Sequence, residues 1–138
     1  WSWAAGGTVD ANGKLNAGIV TNLGTDLTND HPIGIQYCGG GPSASSANAA
    51  CKDPDFKNAT NDLKNTSING TTVWWVDTSS GTAGTREKTD MILYTRSFAG
   101  TDGPSVECAS CHDPHSTNQT FLRISNAQSA VCLACHVK

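Results

Sequence analysis

Apolar positions in this chain are sparse and come in short runs. Two runs are rich in β-branched and aromatic residues, Thr71 to Asp77 and Met91 to Phe98. Ser, Gly and Thr clusters bound each run, which is the pattern of a strand between turns. They predict a β-hairpin, 71–77 against 91–98, with a long connection from Thr78 to Asp90. Side chains alternate across a strand, so Trp74 and Trp75 point to opposite faces. Either one ring packs on a cofactor or both faces are core. Ala17 to Leu23 reads as a short strand and Asp26 to His31 as a turn. Asp53 to Gly70 is polar and reads as loop with a short helical turn. Asp102-Gly103-Pro104 reads as a boundary, and Ser125 or Asn126 as the N-cap of a helix over Ala127 to His136. The expected fold class is mostly irregular, with a few short β-strands and a short C-terminal helix. The expected organisation is a β- and loop-rich region over 1–103 and a distinct segment over 104–138, within a single compact domain.

Several classes are excluded at this point. No heptad pattern or long amphipathic helix exists, so the chain is not a helix bundle. No run of about 18 apolar residues exists, so no helix spans a membrane. The net charge is −3, which argues against nucleic-acid binding.

Composition sharpens the problem. Thr, Ser, Asn and Gly together make 54 of the 138 residues, while charged residues make only 15%. Such a chain is poor in core-forming side chains and should struggle to fold on its own. It nonetheless carries six Cys and four Trp, so something besides an ordinary core is expected to hold it.

The cysteines fall into two groups. Cys38 and Cys51 flank a Gly/Ser/Ala-rich loop of twelve residues and read as a disulfide. Cys108, Cys111, Cys132 and Cys135 form two C-x-x-C units, each followed directly by a His, at His112 and His136. Two C-x-x-C units twenty residues apart also fit a structural zinc site. A four-Cys zinc site has no use for a His after each pair, whereas C-x-x-C-H is the attachment site of c-type haem. The favoured reading is two haem c groups. In it the four Cys are thioether attachment points, and His112 and His136 are proximal iron ligands. Zinc and a redox dithiol are the rivals.

Only His31 and His115 remain, which matches two open iron positions. The alternative is that either is an ordinary surface or core histidine. Trans imidazoles with metal–nitrogen bonds near 2 Å place their Cα atoms on the order of 12 Å apart. His115 lies three residues after His112, a reach of at most about 10–11 Å. His115 therefore suits the second haem, with His136, and His31 the first, with His112. That pairing places the haems side by side. It leaves no open iron position, so electron transfer is expected rather than catalysis. Met91, the only Met, is the one rival axial ligand, but its apolar run favours core packing.

The stretch from Val106 to His136 reads V-E-C-A-S-C-H-D-P-H, then F-L-R-I-S-N, then V-C-L-A-C-H. It resembles the doubled C-x-x-C-H multihaem cytochromes c. Leu23 to Tyr37 looks like that family's His-Pro segment, which supplies a distal His, and the 74–77 and 90–94 stretches look like its β-ribbon. The resemblance implies haem on Cys108, Cys111, Cys132 and Cys135, with His31, His112, His115 and His136 as iron ligands. Many relatives carry four or more haems, whereas this chain has two motifs. Some relatives polymerise into extracellular cytochrome filaments, which would extend a short haem row by stacking subunits.

Haem attachment and a disulfide both place the chain outside the cytoplasm, periplasmic or extracellular. Trp1 is not an initiator Met, and the expectation is a processed mature chain. Four sequons occur, at Asn58, Asn65, Asn69 and Asn118. The expected partners are other cytochromes or copies of the chain itself. The favoured function is a dihaem, bis-His electron-transfer cytochrome that assembles into a conductive filament. A monomeric periplasmic shuttle and a haem enzyme with one open axial position are the alternatives. Two porphyrins would supply the missing core, so the haem-free chain is expected not to fold.

Overall fold

The computed structural model describes residues 25–28, 30–78 and 81–137. The chain divides into two compact units, residues 1–31 and 32–138. The strand expected over Ala17 to Leu23 lies outside the described residues. In the first unit the Asp26 carboxylate accepts the Thr28 backbone N–H at 3.1 Å and the Thr28 hydroxyl at 2.7 Å. This is the local side-chain bonding that makes Asp a turn former. The Asp30 N–H closes the turn on the Leu27 carbonyl at 3.2 Å.

The second unit is built on a five-stranded antiparallel sheet. Its strands are β1 (Ile35–Gln36), β2 (Leu63–Ile68), β3 (Thr71–Val76), β4 (Met91–Phe98) and β5 (Thr101–Val106). Their order across the sheet is β1-β5-β4-β3-β2. The hairpin expected from the apolar runs is present, with Trp74 opposite Leu93 and Val76 opposite Met91. Two tighter hairpins flank it. Asn69-Gly70 joins β2 to β3 and Ala99-Gly100 joins β4 to β5, all four residues with positive φ. Two such residues in a two-residue loop match the right-handed twist of the flanking strands.

Three expectations are corrected. The segment 53–70 is not all loop, because Leu63–Ile68 forms β2. Its polar residues Lys64, Asn65, Thr66 and Ser67 suit an edge strand, where only Leu63 is buried. Asp102-Gly103-Pro104 is not a break, because it lies inside β5. Proline lacks an N–H, but β1 pairs only with Ser105 and Val106. Pro104 thus stands on a locally unpaired edge, where the missing donor costs nothing. The C-terminal helix is shorter than expected, α2 (Ala130–Cys135), preceded by a single turn at Ala127–Ser129. Gln128 and Ser129 both take left-handed φ values, which interrupts the right-handed path that Ala127 begins.

The core lies on one face of the sheet. Leu63, Trp74, Val76, Met91, Leu93 and Val106 are buried there with Tyr37 and Cys38. Trp75 and Ile92 are buried on the opposite face. Both Trp rings are therefore interior. Cys111, Ala134, Cys135, Ile124 and Phe56 pack against the core face. Both C-x-x-C units are thus seated on the sheet. Cys38 and Cys51 are disulfide-bonded, with Cα atoms 5.5 Å apart.

Candidate functional site

The first C-x-x-C unit is a single helical turn, α1 (Cys108–Cys111), directly after β5. Glu107 starts it through a reciprocal cap: its N–H donates to the Ser110 hydroxyl at 2.9 Å, and its side chain accepts from the Ser110 backbone. Arg96 of β4 holds the same carboxylate at 3.2 Å. The second unit closes α2. In both, the chain leaves the helix at the His, which adopts extended backbone while its N–H bonds to the first Cys carbonyl. The distances are 3.1 Å from His112 to Cys108 and 3.0 Å from His136 to Cys132.

Each of these histidines is then gripped by the same device. His112 forms an isolated antiparallel bridge with Leu122, and His136 forms one with Phe56. For His112 the flanking bonds run from the Asp113 N–H to the Phe121 carbonyl and from the Arg123 N–H to the Cys111 carbonyl, both 2.8 Å. For His136 they run from the Val137 N–H to the Asp55 carbonyl at 2.9 Å and from the Lys57 N–H to the Cys135 carbonyl at 2.8 Å. One strap is local in sequence. The other comes from residues 55–57, just after the disulfide at Cys51.

The rings are oriented differently. His112 Nδ1 lies 2.7 Å from the Thr120 carbonyl oxygen. A carbonyl only accepts, so Nδ1 carries the proton and Nε2 keeps a free lone pair. His136 rests on the Phe56 ring with centroids 4.2 Å apart, and Phe56 meets the edge of Tyr37 at 5.3 Å. The Tyr37 hydroxyl donates to the Lys57 carbonyl at 2.8 Å, fastening that strap to the core.

Cys108 and Cys132 are exposed, and Cys111 and Cys135 are half-buried. Burial pushes the Cys135 thiol up to about 12, with the charges of Cys111 and Cys132 adding to the effect. Burial, then Cys132, also pushes Cys111 up. Among the described residues no group of three or more His, Cys, Asp or Glu is placed to hold a metal ion.

His115 stands apart from the core, with its side chain 92% exposed. The same Asp113 oxygen accepts its backbone N–H at 2.9 Å and its Nδ1 at 3.0 Å. These bonds, the backbone one foremost, hold the Asp113 carboxyl below the usual carboxylate range. His31 is exposed and ends the first unit, followed directly by Pro32. Met91 is wholly buried in the core, where packing accounts for it.

Residues 102–138 match the family model of the doubled CXXCH motif. This segment is a doubled CXXCH unit of the multihaem cytochrome c family. No curated protein and no solved structure matches the chain. The doubled motif indicates covalently bound c-type haem and an electron-transfer role. The residues of this CXXCH unit fit that group. Each motif presents one exposed and one half-buried thiol, and His112 presents a bare ring nitrogen. One cleft borders the second motif, and another lies beside Asp113, just after the first. One of about 310 Å³ is lined by Lys57, Ile124, Leu133 and Ala134 among others. The second, about 550 Å³, has apolar Ile68 and Ile92, cationic Arg86, Lys88 and Arg123, and acidic Glu87 and Asp113. When bound, haem supplies a one-electron iron couple, and the chain supplies attachment, axial nitrogen and a shell that excludes water.

Sequence reading singled out the Cys and His residues but not their supports. The Thr120 carbonyl has no side-chain signature. Phe56 lies about eighty residues before the His it supports. Asp113 was visible within the D-P-H run, but its link to Arg123 was not.

Proposed function

We propose that this cytochrome is a dihaem, bis-His electron carrier, with two haem c groups attached at Cys108/Cys111 and Cys132/Cys135. His112 and His31 ligate the first iron, and His136 and His115 the second. The observation that carries the reading is the duplicated clamp on His112 and His136, two like sites in one chain. The packing of Cys111 and Cys135 against the same core face supports adjacent haems, and the exposed ring of His115 supports its use as a ligand. Four histidines saturate two irons, so the role is electron transfer without an open catalytic position.

The protein works outside the cytoplasm and passes electrons to other cytochromes or to copies of itself, as a subunit of a conductive filament. Two haems per chain make a short row that stacking would extend. Phe121, Leu133 and Val137 are exposed apolar side chains beside the motifs, which suits burial against a cofactor or a neighbouring subunit. Negative-stain microscopy of the native protein tests assembly. Filaments support it, and monodisperse particles of single-chain size leave the monomeric shuttle in its place.

A further inference from the structure

Arg123 joins three parts of the first motif. Its Nε donates to the Ala109 carbonyl at 3.1 Å, inside the C-x-x-C turn. Its NH1 donates to the Lys88 carbonyl at 2.9 Å, on the long β3–β4 connection. The same NH1 lies 3.5 Å from Asp113 Oδ2. The Arg123 side chain is largely buried, 11% exposed, with that of Asp113 at 19%. Asp113 spends its other oxygen on the His115 backbone and ring. The loop beyond is also tied, since the Ser116 N–H donates to the Asp113 carbonyl at 2.8 Å and the Ser116 hydroxyl to the Leu122 carbonyl at 2.6 Å. An exposed His on a surface loop would ordinarily sample many rotamers. This one has both its ring tautomer and its direction set.

We propose that Asp113, braced by Arg123, is the positioning residue for His115 as an axial iron ligand. This rests on the reading of His115 as the distal ligand of the second haem. The carboxylate accepts the Nδ1 proton, so Nε2 is left bare on a side chain that is 92% exposed. A carboxylate partner also raises the basicity of the ligating nitrogen, which favours ferric over ferrous iron. Arg123 fixes the carboxylate and ties it to the first motif. The geometry of one haem's proximal turn is thereby coupled to the distal ligand of the other.

The test uses the haem-loaded protein, with redox titration and EPR read for each haem. His115→Ala addresses the ligand reading alone. One haem should lose its bis-His low-spin signal, and two unchanged signals would remove the ligand, whatever Asp113 does. Asp113→Asn addresses positioning. Both haems should stay low-spin, while the potential of the haem affected by His115→Ala rises and the other holds. Asp113→Glu, which keeps the charge, should return that potential toward the parent value. Unchanged potentials in Asp113→Asn, or equal shifts of both haems, would overturn the proposal. A second measurement needs no variant. In ¹⁵N-His-labelled parent protein the His115 Nδ1 proton should exchange slowly with water, and rapid exchange would overturn the proposal equally.

Discussion

The Thr120 carbonyl sits 2.7 Å from His112 Nδ1 because Thr120 and Phe121 both adopt left-handed φ, 54° and 59°. That backbone is unfavourable for residues with a β-carbon, at about 1–2 kcal/mol each. The cost is tolerated where the turn is over-determined by its surroundings. Here the Asp113 and Arg123 bridge bonds close on either side of it.

The left-handed turn separates carbonyl from side chain. Thr120→Gly keeps the carbonyl and removes the steric cost, so thermal stability should rise by about 0.5–1 kcal/mol with the spectrum of the first haem unchanged. Thr120→Pro forces φ near −65° and swings the carbonyl away. The first haem should then show a disturbed axial field, while the second keeps its parent signal. Thermal melts and EPR of both variants check this.

The disulfide should matter to one site more than the other. The Asp53 N–H bonds to the Cys38 carbonyl at 3.1 Å and the Lys52 N–H to the Gly40 carbonyl at 2.9 Å, so the cross-linked loop leads straight into the 55–57 strap. Replacing Cys38 and Cys51 together with Ser should cost about 3 kcal/mol in the chain-entropy account. Denaturant unfolding measures that loss. Haem-resolved spectra should show the His136 site loosened before the His112 site, whose strap is local.

Met91 is wholly buried and faces Val76 across the sheet. Met91→Leu conserves volume and should change stability by less than about 1.5 kcal/mol. The near-infrared region, where thioether-ligated haem absorbs, should be identical in parent and variant. A spectral change would make Met91 a ligand.

Much of this was legible in the chain. The 71–77 and 91–98 hairpin followed from residue type because Trp74, Val76, Met91 and Leu93 must share a buried face. The haem motifs followed from Cys and His spacing because covalent attachment allows few alternatives. β2 was not legible, since edge strands need one paired side only and Lys64 to Ser67 look like loop. β5 was not legible either, because Gly103-Pro104 signals a turn unless the neighbouring strand is known to be too short to need the missing donor. The supports of His136 were hidden for a related reason. Phe56 acts across a long sequence separation, through a strap placed by a disulfide.

The central claim is two covalently attached, bis-His haems in one chain. It is tested most directly by intact mass of the native protein under denaturing conditions, with EPR of the same sample. The mass should exceed that of the polypeptide by two haem groups, and EPR should show low-spin ferric haem only. A mass increase of one haem or none, or a high-spin ferric signal from the intact protein, would contradict it.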